Sequence, residues 1–357
     1  MGFKERGERL YEKLYDNVRR ISAQQRRIKE FKKKTSKGVL SAEQVAQVKA
    51  FYAPYKKPNL VFHRYFTEKT GVFSPEYLPQ DLYVGYIDPY LNDIRAAKYL
   101  DNKCYYGALF HSIPQPKLIA KRVNGIWLND EDEVLASEDL AQVLNDERNG
   151  FFVKESQVSA GGFGVTFVAS SGNAAEKTLE IASKFNTDIT VQRGIVQHAD
   201  LAKINESSVN SLRIYSVLGK DGKVKIYSAV LRMGLGGSKV DNYASGGISC
   251  GITEDGRLRQ YAYNKIGEKM ETHPTSGLTL QGYVIPSYDR AVRMVHKAHP
   301  MIPHFRSVSW DIAIDLEGNP LLIEANLCRG GIDLLQLNNG PLFGEDTTKI
   351  LKEVFGR

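Results

Sequence analysis

SWDIAIDLEGNPLLIEAN, residues 309 to 326, is two apolar arms of strand character around a central Glu317-Gly318 pair. Such a pair is a two-residue turn candidate, so the stretch predicts a β-hairpin. If the hairpin closes there, facing residues have numbers that total 635, and Asp311 lies opposite Glu324. Asn326, two residues further on, shares the face of Glu324. Opposed carboxylates sit only about 5 Å apart at Cβ, where like charges destabilise the pair. A divalent cation resolves that conflict. Two carboxylates and an amide oxygen are hard ligands suited to Mg²⁺, with Mn²⁺ as a second candidate. Asp315 shares the face but lies about 13 Å away at the turn end, too far to join the set. The neighbouring Ile312, Ile314, Leu322 and Ile323 are too apolar for a fully solvated hairpin.

Upstream, Lys154 ends the strand FFVK, and SAGGFG (159–164) follows within a few residues. Gly161, Gly162 and Gly164 allow backbone amides to approach an anion and form a concave nest. The lysine beside them supplies a point charge for a phosphate. The motif is not a Walker loop, because GxxxxGK[ST] is absent and the glycines join two strands. Between this loop and the hairpin, Arg213 in SVNSLRI and Arg232 in AVLRMG are each flanked by apolar residues. An arginine so placed needs an anionic partner, either a structural carboxylate or a phosphoryl or carboxylate group of a ligand. KVDNYASGGISCG (239–251) reads as a polar, glycine-rich loop able to lie against a ligand.

The remaining chain frames these motifs. The 357 residues are 42% hydrophobic and 25% charged, enough for a large core. No apolar run approaches the roughly 18 residues of a membrane span, and the charged N-terminus lacks the apolar stretch of a signal peptide. These readings predict a cytoplasmic protein. Cys104, Cys250 and Cys328 are dispersed and odd in number, so they predict neither a disulfide framework nor a zinc site. Residues 1–37 hold 13 Lys+Arg against 5 Asp+Glu, which leaves the other 320 residues one charge negative. The high charge belongs to one segment, and no nucleic-acid partner is expected.

Leu10, Leu14, Ile21, Ile28 and Phe31 recur at helical spacing, so residues 3 to about 34 predict a basic helix. It either packs on the body by its apolar stripe or touches an anionic membrane peripherally. Ser41 caps a second helix, which Pro54 and Pro58 end. Residues 60–100 read as short strands and loops. KYLDNKCYYGALF predicts a helix, Asn124-Gly125 a turn between strands, and SEDLAQVLNDE a capped helix starting at Ser137. The helix AAEKTLEIASKF and the strand DITVQRGIV follow the glycine loop, strands dominate from 209, and SYDRAVRMVHKAHPMI is the main helix among them. Helices and strands mix without βαβ alternation, an α+β pattern.

Taken together, D-x12-E-x-N on a terminal hairpin, a strand lysine before a glycine-rich loop and an upstream lysine before a Pro-x-Pro strand resemble the ATP-grasp superfamily. VNSLRI, LRMG, KVDNYASGGI, THPTSG and WDIAID…PLLIEAN resemble its sugar-transfer-associated members. The resemblance runs from about residue 60 to 340. It implies two α+β subdomains clamping ATP, preceded by an N-terminal helical segment. The implied divisions are helices over 1–58, a pre-ATP-grasp region over 59–120, a small subdomain over 121–200 and a large one over 201–357.

The resemblance also assigns roles. Lys103 in LDNK and Lys154 would contact the α- and β-phosphates, and the Gly161, Gly162 and Gly164 loop would fold over the triphosphate. VQRGIV would be the adenine hinge, through Gln192, Arg193 and Ile195, with His198 or Asp200 at the ribose. Arg213 and Arg232 would clamp the γ-phosphate and acyl group, with Asn242 and Gly246 near them. Asp311, Glu324 and Asn326 would hold magnesium. Many hinges of this superfamily carry glutamate where Arg193 stands. His273 in THPTSG fits the narrower pattern without an evident role, and a structural histidine fits equally. The implied activity is an ATP-dependent carboxylate–amine ligase joining a small-molecule or saccharide carboxylate to an amine through an acyl phosphate, in surface polysaccharide biosynthesis. Two other classes stay open: a kinase or phosphotransferase on the same fold, and a non-catalytic binding module working through the basic helix.

Overall fold

The computed structural model describes residues 3–36, 39–157, 164–238, 246–328 and 330–356, with backbone alone for 3–16 and 19. Two units emerge: Met1–Asp93 together with Gly331–Arg357, and Ile94–Gly330. The last 27 residues belong with the N-terminal unit.

In the first unit the basic segment forms a single helix, α1 (Phe3–Lys34). The second helix, α2 (Ala42–Tyr52), starts at Ser41, whose side chain and that of Gln44 form a reciprocal capping box. The strands expected over 60–100 are absent from the described residues. α3 (Val61–Thr70) and short helical turns over Gln80–Leu82, Tyr83–Ile87, Asp88–Leu91 and Ile94–Leu100 stand there instead. The aromatics explain the correction. Phe62, Tyr65 and Phe66 recur three and four apart, so one helix face buries all three against Phe31 of α1, with ring centroids 4.8, 4.8 and 6.3 Å away. The prolines punctuate these helices rather than strands: Pro79 caps one and Pro89 lies in the first turn of another.

The second unit carries two antiparallel sheets. The first joins β1 (Leu118–Val123), β2 (Ile126–Leu128), β3 (Phe151–Glu155), β4 (Val165–Val168) and β5 (Ile189–Arg193) in the order β2-β1-β5-β3-β4. Asn124 and Gly125, with φ of 48° and 87°, make the expected two-residue turn. Phe151, Val153, Ile189 and Val191 pack on the helices Ser137–Asn145 and Ala174–Ser183. The first of these helices starts at Ser137 as expected, but its N-cap, Ala136, makes no side-chain bond; Glu138 and Asp139 supply the favourable charge of the first turn. By strand alternation the opposite face presents Phe152, Lys154, Thr190 and Gln192.

The larger sheet joins β6 (Ser211–Leu218), β7 (Val224–Met233), β8 (Ile248–Ile252), β9 (Leu258–Tyr263), β10 (Lys269–Met270), β11 (Ser307–Ile314) and β12 (Pro320–Asn326), in the order β10-β9-β8-β7-β6-β11-β12. Leu212, Ile214, Leu231, Trp310 and Ile312 pack beneath it with the helix Tyr288–Ala298. Helices beside antiparallel sheets make this an α+β chain, as the residue pattern predicts.

Candidate functional site

Lys103 reaches the site because the helix expected over 98–110 breaks. Asn102 interrupts it: its side-chain oxygen accepts from Cys104 N at 3.0 Å and its amide donates to Asp188 at 2.8 Å. Lys103 N donates to Ser156 O at 3.0 Å, which ties the chain to the end of β3. Lys103 then begins a single 3-10 turn, and its Nζ donates to Glu324 Oε1 at 2.6 Å.

The hairpin departs from expectation at its tip and keeps its register where the chemistry lies. The turn is not the Glu317-Gly318 pair alone. Gly318 N donates to Asp315 O and Asp315 N to Asn319 O, both at 3.0 Å, while Gly318 adopts φ 78°. Asp315 Oδ1 accepts from Asn319 N at 2.6 Å, so this carboxylate serves the turn. The inner pairs Ile312–Leu322, Ala313–Leu321 and Ile314–Pro320 are one residue out of the expected register. A bulge next to Asp311 absorbs the difference, and Asp311 faces Glu324 as Ser309 faces Asn326.

Arg213 on β6 faces Asp311 from the other side, so one cross-strand row reads Arg213, Asp311, Glu324. Arg213 grips Asp311 bidentately, Nε to Oδ1 at 2.7 Å and Nη2 to Oδ2 at 2.6 Å. Arg232 adds Nη1 to Oδ2 at 2.9 Å. Burial alone would raise the Asp311 carboxyl, but the two guanidiniums and the Asn326 side chain hold it below its ordinary range. The two arginines therefore neutralise Asp311, and Lys103 neutralises Glu324. Burial works against the charged form of Lys103, yet Glu324 keeps its ammonium above the ordinary range.

Lys154 projects from the face of the smaller sheet, with Nζ donating to Gln192 Oε1 at 2.9 Å. Burial and the neighbouring Lys103 push it down to about 8. An anion arriving between these lysines would reverse that shift. The residues fit a magnesium ion by their donor chemistry. Among the described residues no hydrogen bond is donated to Glu324 Oε2 or to Asn326 Oδ1, since Asn326 uses Nδ2 toward Ser309 O at 3.0 Å. No described group of three His, Cys, Asp or Glu side chains has metal spacing. Asn326 Oδ1 thus stands as an acceptor on the strand that carries Glu324.

The sugar-transfer associated ATP-grasp family matches residues 84–352. The chain belongs to that family. No curated protein matches it in sequence. Solved structures with similar folds include D-alanine-D-alanine ligase from Coxiella burnetii, at 12% identity over 74% of this chain and 59% of that one, TM-score 0.43. The D-Ala:D-Ser ligase VanG from Enterococcus faecalis is similar at 13% identity over 74% and 63%, TM-score 0.44. N5-carboxyaminoimidazole synthetase from Staphylococcus aureus, complexed with ADP, is similar at 9% identity over 68% and 48%, TM-score 0.41. The chain spans less than half the length of the carboxyaminoimidazole synthetases it matches.

The other residues assigned by resemblance to this ATP-grasp family fall in several places. Gly161, Gly162 and Asn242 lie outside the described residues. Gly164 closes the base of its loop, where its carbonyl accepts from Glu155 N at 2.8 Å and φ is 80°. Gly246, with φ of 102°, precedes β8. At the expected hinge, alternation along β5 puts Gln192 on the face of Lys154 and turns Arg193 away. Arg193 is held by the buried Glu147 through three contacts of 2.9–3.0 Å. Its N–H donates to Lys117 O at 2.9 Å, so any hinge role left to it rests on its carbonyl. Ile195 follows two residues later, half-buried. His198 caps the helix Ala199–Ile204 by accepting from Asp200 N at 3.2 Å, beside the Gly318 turn rather than beside Glu324. Asp200 pairs with Lys203 at 2.7 Å. His273 is buried and bonded to Gly234 O at 3.0 Å, and burial lowers its pKa, a structural placement at the end of β7.

Sequence reasoning missed two residues here. Asp101, buried beside Lys103 and Glu324, is raised to about 6 by burial. Its position two residues before Lys103 was the available signal. Tyr106 both accepts from Ala325 N at 3.0 Å and donates to Ala325 O at 3.2 Å, bracing the outer edge of β12.

Proposed function

We propose that this family member is an ATP-dependent carboxylate–amine ligase that activates its carboxylate as an acyl phosphate. One observation carries the reading. The row Arg213, Asp311, Glu324 meets Lys103, Lys154 and Arg232, so two metal-type carboxylates stand inside a ring of four cations. A polyphosphate with a bound cation has the complementary charge pattern.

Asp311, Glu324 and Asn326 would hold Mg²⁺ or Mn²⁺, which would supply charge neutralisation at phosphate oxygens. Lys103 and Lys154 hold the phosphates of ATP. Arg213 and Arg232 keep Asp311 ionised and oriented, and place positive charge beside the group being transferred. A substrate carboxylate oxygen forms a bond to the γ-phosphorus as the bond to ADP breaks. An amine nitrogen then bonds to the acyl carbon, phosphate leaves and the nitrogen loses a proton. The residues' work is alignment, electrostatic stabilisation and exclusion of the water that would hydrolyse the acyl phosphate. A sugar acid or amino acid of surface polysaccharide biosynthesis is the substrate class that suits a sugar-transfer-associated family, with the reaction in the cytoplasm.

The test is Glu324→Gln. This change keeps an acceptor for Lys103 and removes one anionic ligand. ADP release from a screen of carboxylate and amine pairs should fall by at least about 10²-fold, with the melting temperature nearly unchanged. Undiminished ADP release would overturn the assignment. Mass spectrometry of the product separates amide from phosphorylated hydroxyl, and the latter would make the protein a kinase.

A further inference from the structure

The outward face of α1 changes character along its length. Val18 and Ile21 are 64% and 52% exposed. Gln25, Lys29, Lys32 and Lys33 continue the same exposed stripe at helical spacing. The inner face is fixed to its own unit: Phe31 is fully buried, Gln24 donates to Asp81 O at 3.0 Å and Arg20 lies 5.1 Å from the Tyr86 ring centroid. The exposed stripe therefore carries two apolar residues at one end and cations at the other.

The cationic end opens onto a cavity of about 590 Å³ between α1 and α3. Lys32, Thr35, Ser36, Asn59 and Arg64 give it a polar wall, and Leu60 and Val61 an apolar one. None of its described lining residues is acidic. Glu68 is engaged by Ser36 through N at 2.7 Å and Oγ at 3.3 Å and by Lys69 at 3.0 Å. Arg64 Nε is buried and has no hydrogen-bond partner among the described residues. A buried guanidinium nitrogen without a partner is costly and calls for an anion. About 17 Å of helix separates Ile21 from Lys32 along the same exposed stripe.

We propose that this cavity takes the phosphate of an anionic phospholipid headgroup, with Val18 and Ile21 seated in the acyl boundary. The site lies wholly in Met1–Asp93 with Gly331–Arg357, and it stands whether or not the ligase reading does. The single negative charge of a phosphate diester suits Lys32 and Arg64, and its adjoining apolar chain suits the Leu60–Val61 wall; the Thr35 hydroxyl donates to Phe31 O at 2.7 Å and the Ser36 hydroxyl to Glu68 at 3.3 Å.

The experiment is cosedimentation of the full chain with vesicles of phosphatidylglycerol and phosphatidylcholine, against vesicles of phosphatidylcholine alone. Binding should require the anionic lipid and weaken as salt rises. Lys32→Gln with Arg64→Gln should reduce it about 30-fold, near fivefold for each charge. Ile21→Asp, on an exposed position, should reduce it without changing the melting temperature. Thermal melts of the double variant separate lost binding from lost folding. If that variant misfolds, Lys32→Gln alone carries the test with a fivefold loss. Equal sedimentation with neutral vesicles, or wild-type binding by the folded variants, overturns the proposal. So does stabilisation by inorganic phosphate or glycerol phosphate without vesicle binding, which would identify a soluble phosphate ligand instead.

Discussion

Asp101 shows how much of a site depends on groups that sequence motifs pass over. Its carboxyl is buried next to Lys103, and burial with the nearby Glu324 raises it to about 6 from an ordinary 3.8. An acid whose folded pKa is raised prefers its neutral form in the fold. Its contribution is therefore destabilising above pH 6 and fades as the pH falls through 6 toward 3.8. Asp101→Asn should raise unfolding stability at pH 7 by up to about 3 kcal/mol, since each tenfold change in proton affinity is worth about 1.4 kcal/mol. At pH 3.5 the two proteins should be equal. Urea titrations at both values check this, and a variant less stable at pH 7 would refute the assigned burial penalty. Other residues at this scale were legible for a plain reason. Asp311, Glu324 and Lys154 sit in short strands whose alternation fixes their face, whereas Arg193 has the same signal and alternation turns it away from Gln192. Spacing marks a face of a strand; which face meets a cleft depends on what packs behind, and Phe151, Val153 and Val191 decide it.

At the level of elements, the hairpin was readable in its type and in its key pair but not in its tip. The expected two-residue turn became a turn from Asp315 to Gly318 because the Asp315 carboxylate binds Asn319 N and Gly318 takes a positive φ. One bulge then returned Asp311 and Glu324 to opposition. No pattern in the sequence reports a compensating pair of irregularities. The outer edge of β12 depends on a side chain from another element. Tyr106 satisfies both Ala325 backbone groups, one residue from Glu324. Tyr106→Phe leaves two buried groups unpaired and should cost about 1–3 kcal/mol. It should also loosen the strand that carries Glu324, seen as faster hydrogen exchange at the Ala325 amide. Unaltered exchange at that amide would show that Tyr106 does not hold the edge. The stretch over 60–100 was misread for the opposite reason. Its prolines and aromatics look strand-like by composition, and only the three- and four-residue recurrence of Phe62, Tyr65 and Phe66 marks the helix.

For the whole molecule, the arrangement hardest to read was the return of the chain after residue 330 to the unit it left at residue 93. Gln336 makes that return specific. Buried among Leu334, Leu335 and Leu337, its amide accepts from Leu78 N at 2.7 Å and donates to Leu78 O at 3.0 Å. One side chain thus closes both backbone groups of a residue 258 positions away. A glutamine inside a run of leucines carries no local signal of such a partner. Gln336→Leu should leave the Leu78 backbone unsatisfied at about 1–3 kcal/mol, lowering the midpoint of that unit by roughly 4–12 °C. Two spectroscopic probes separate the units. Both tryptophans, Trp127 and Trp310, lie in Ile94–Gly330, so their fluorescence reports that unit alone. Far-ultraviolet circular dichroism also sees α1, α2 and α3. The variant should show an earlier loss of helix signal while the tryptophan transition holds its midpoint. A fluorescence midpoint that falls in step with the dichroism would mean the two units unfold together, and Gln336 would then count as a clasp for the whole chain.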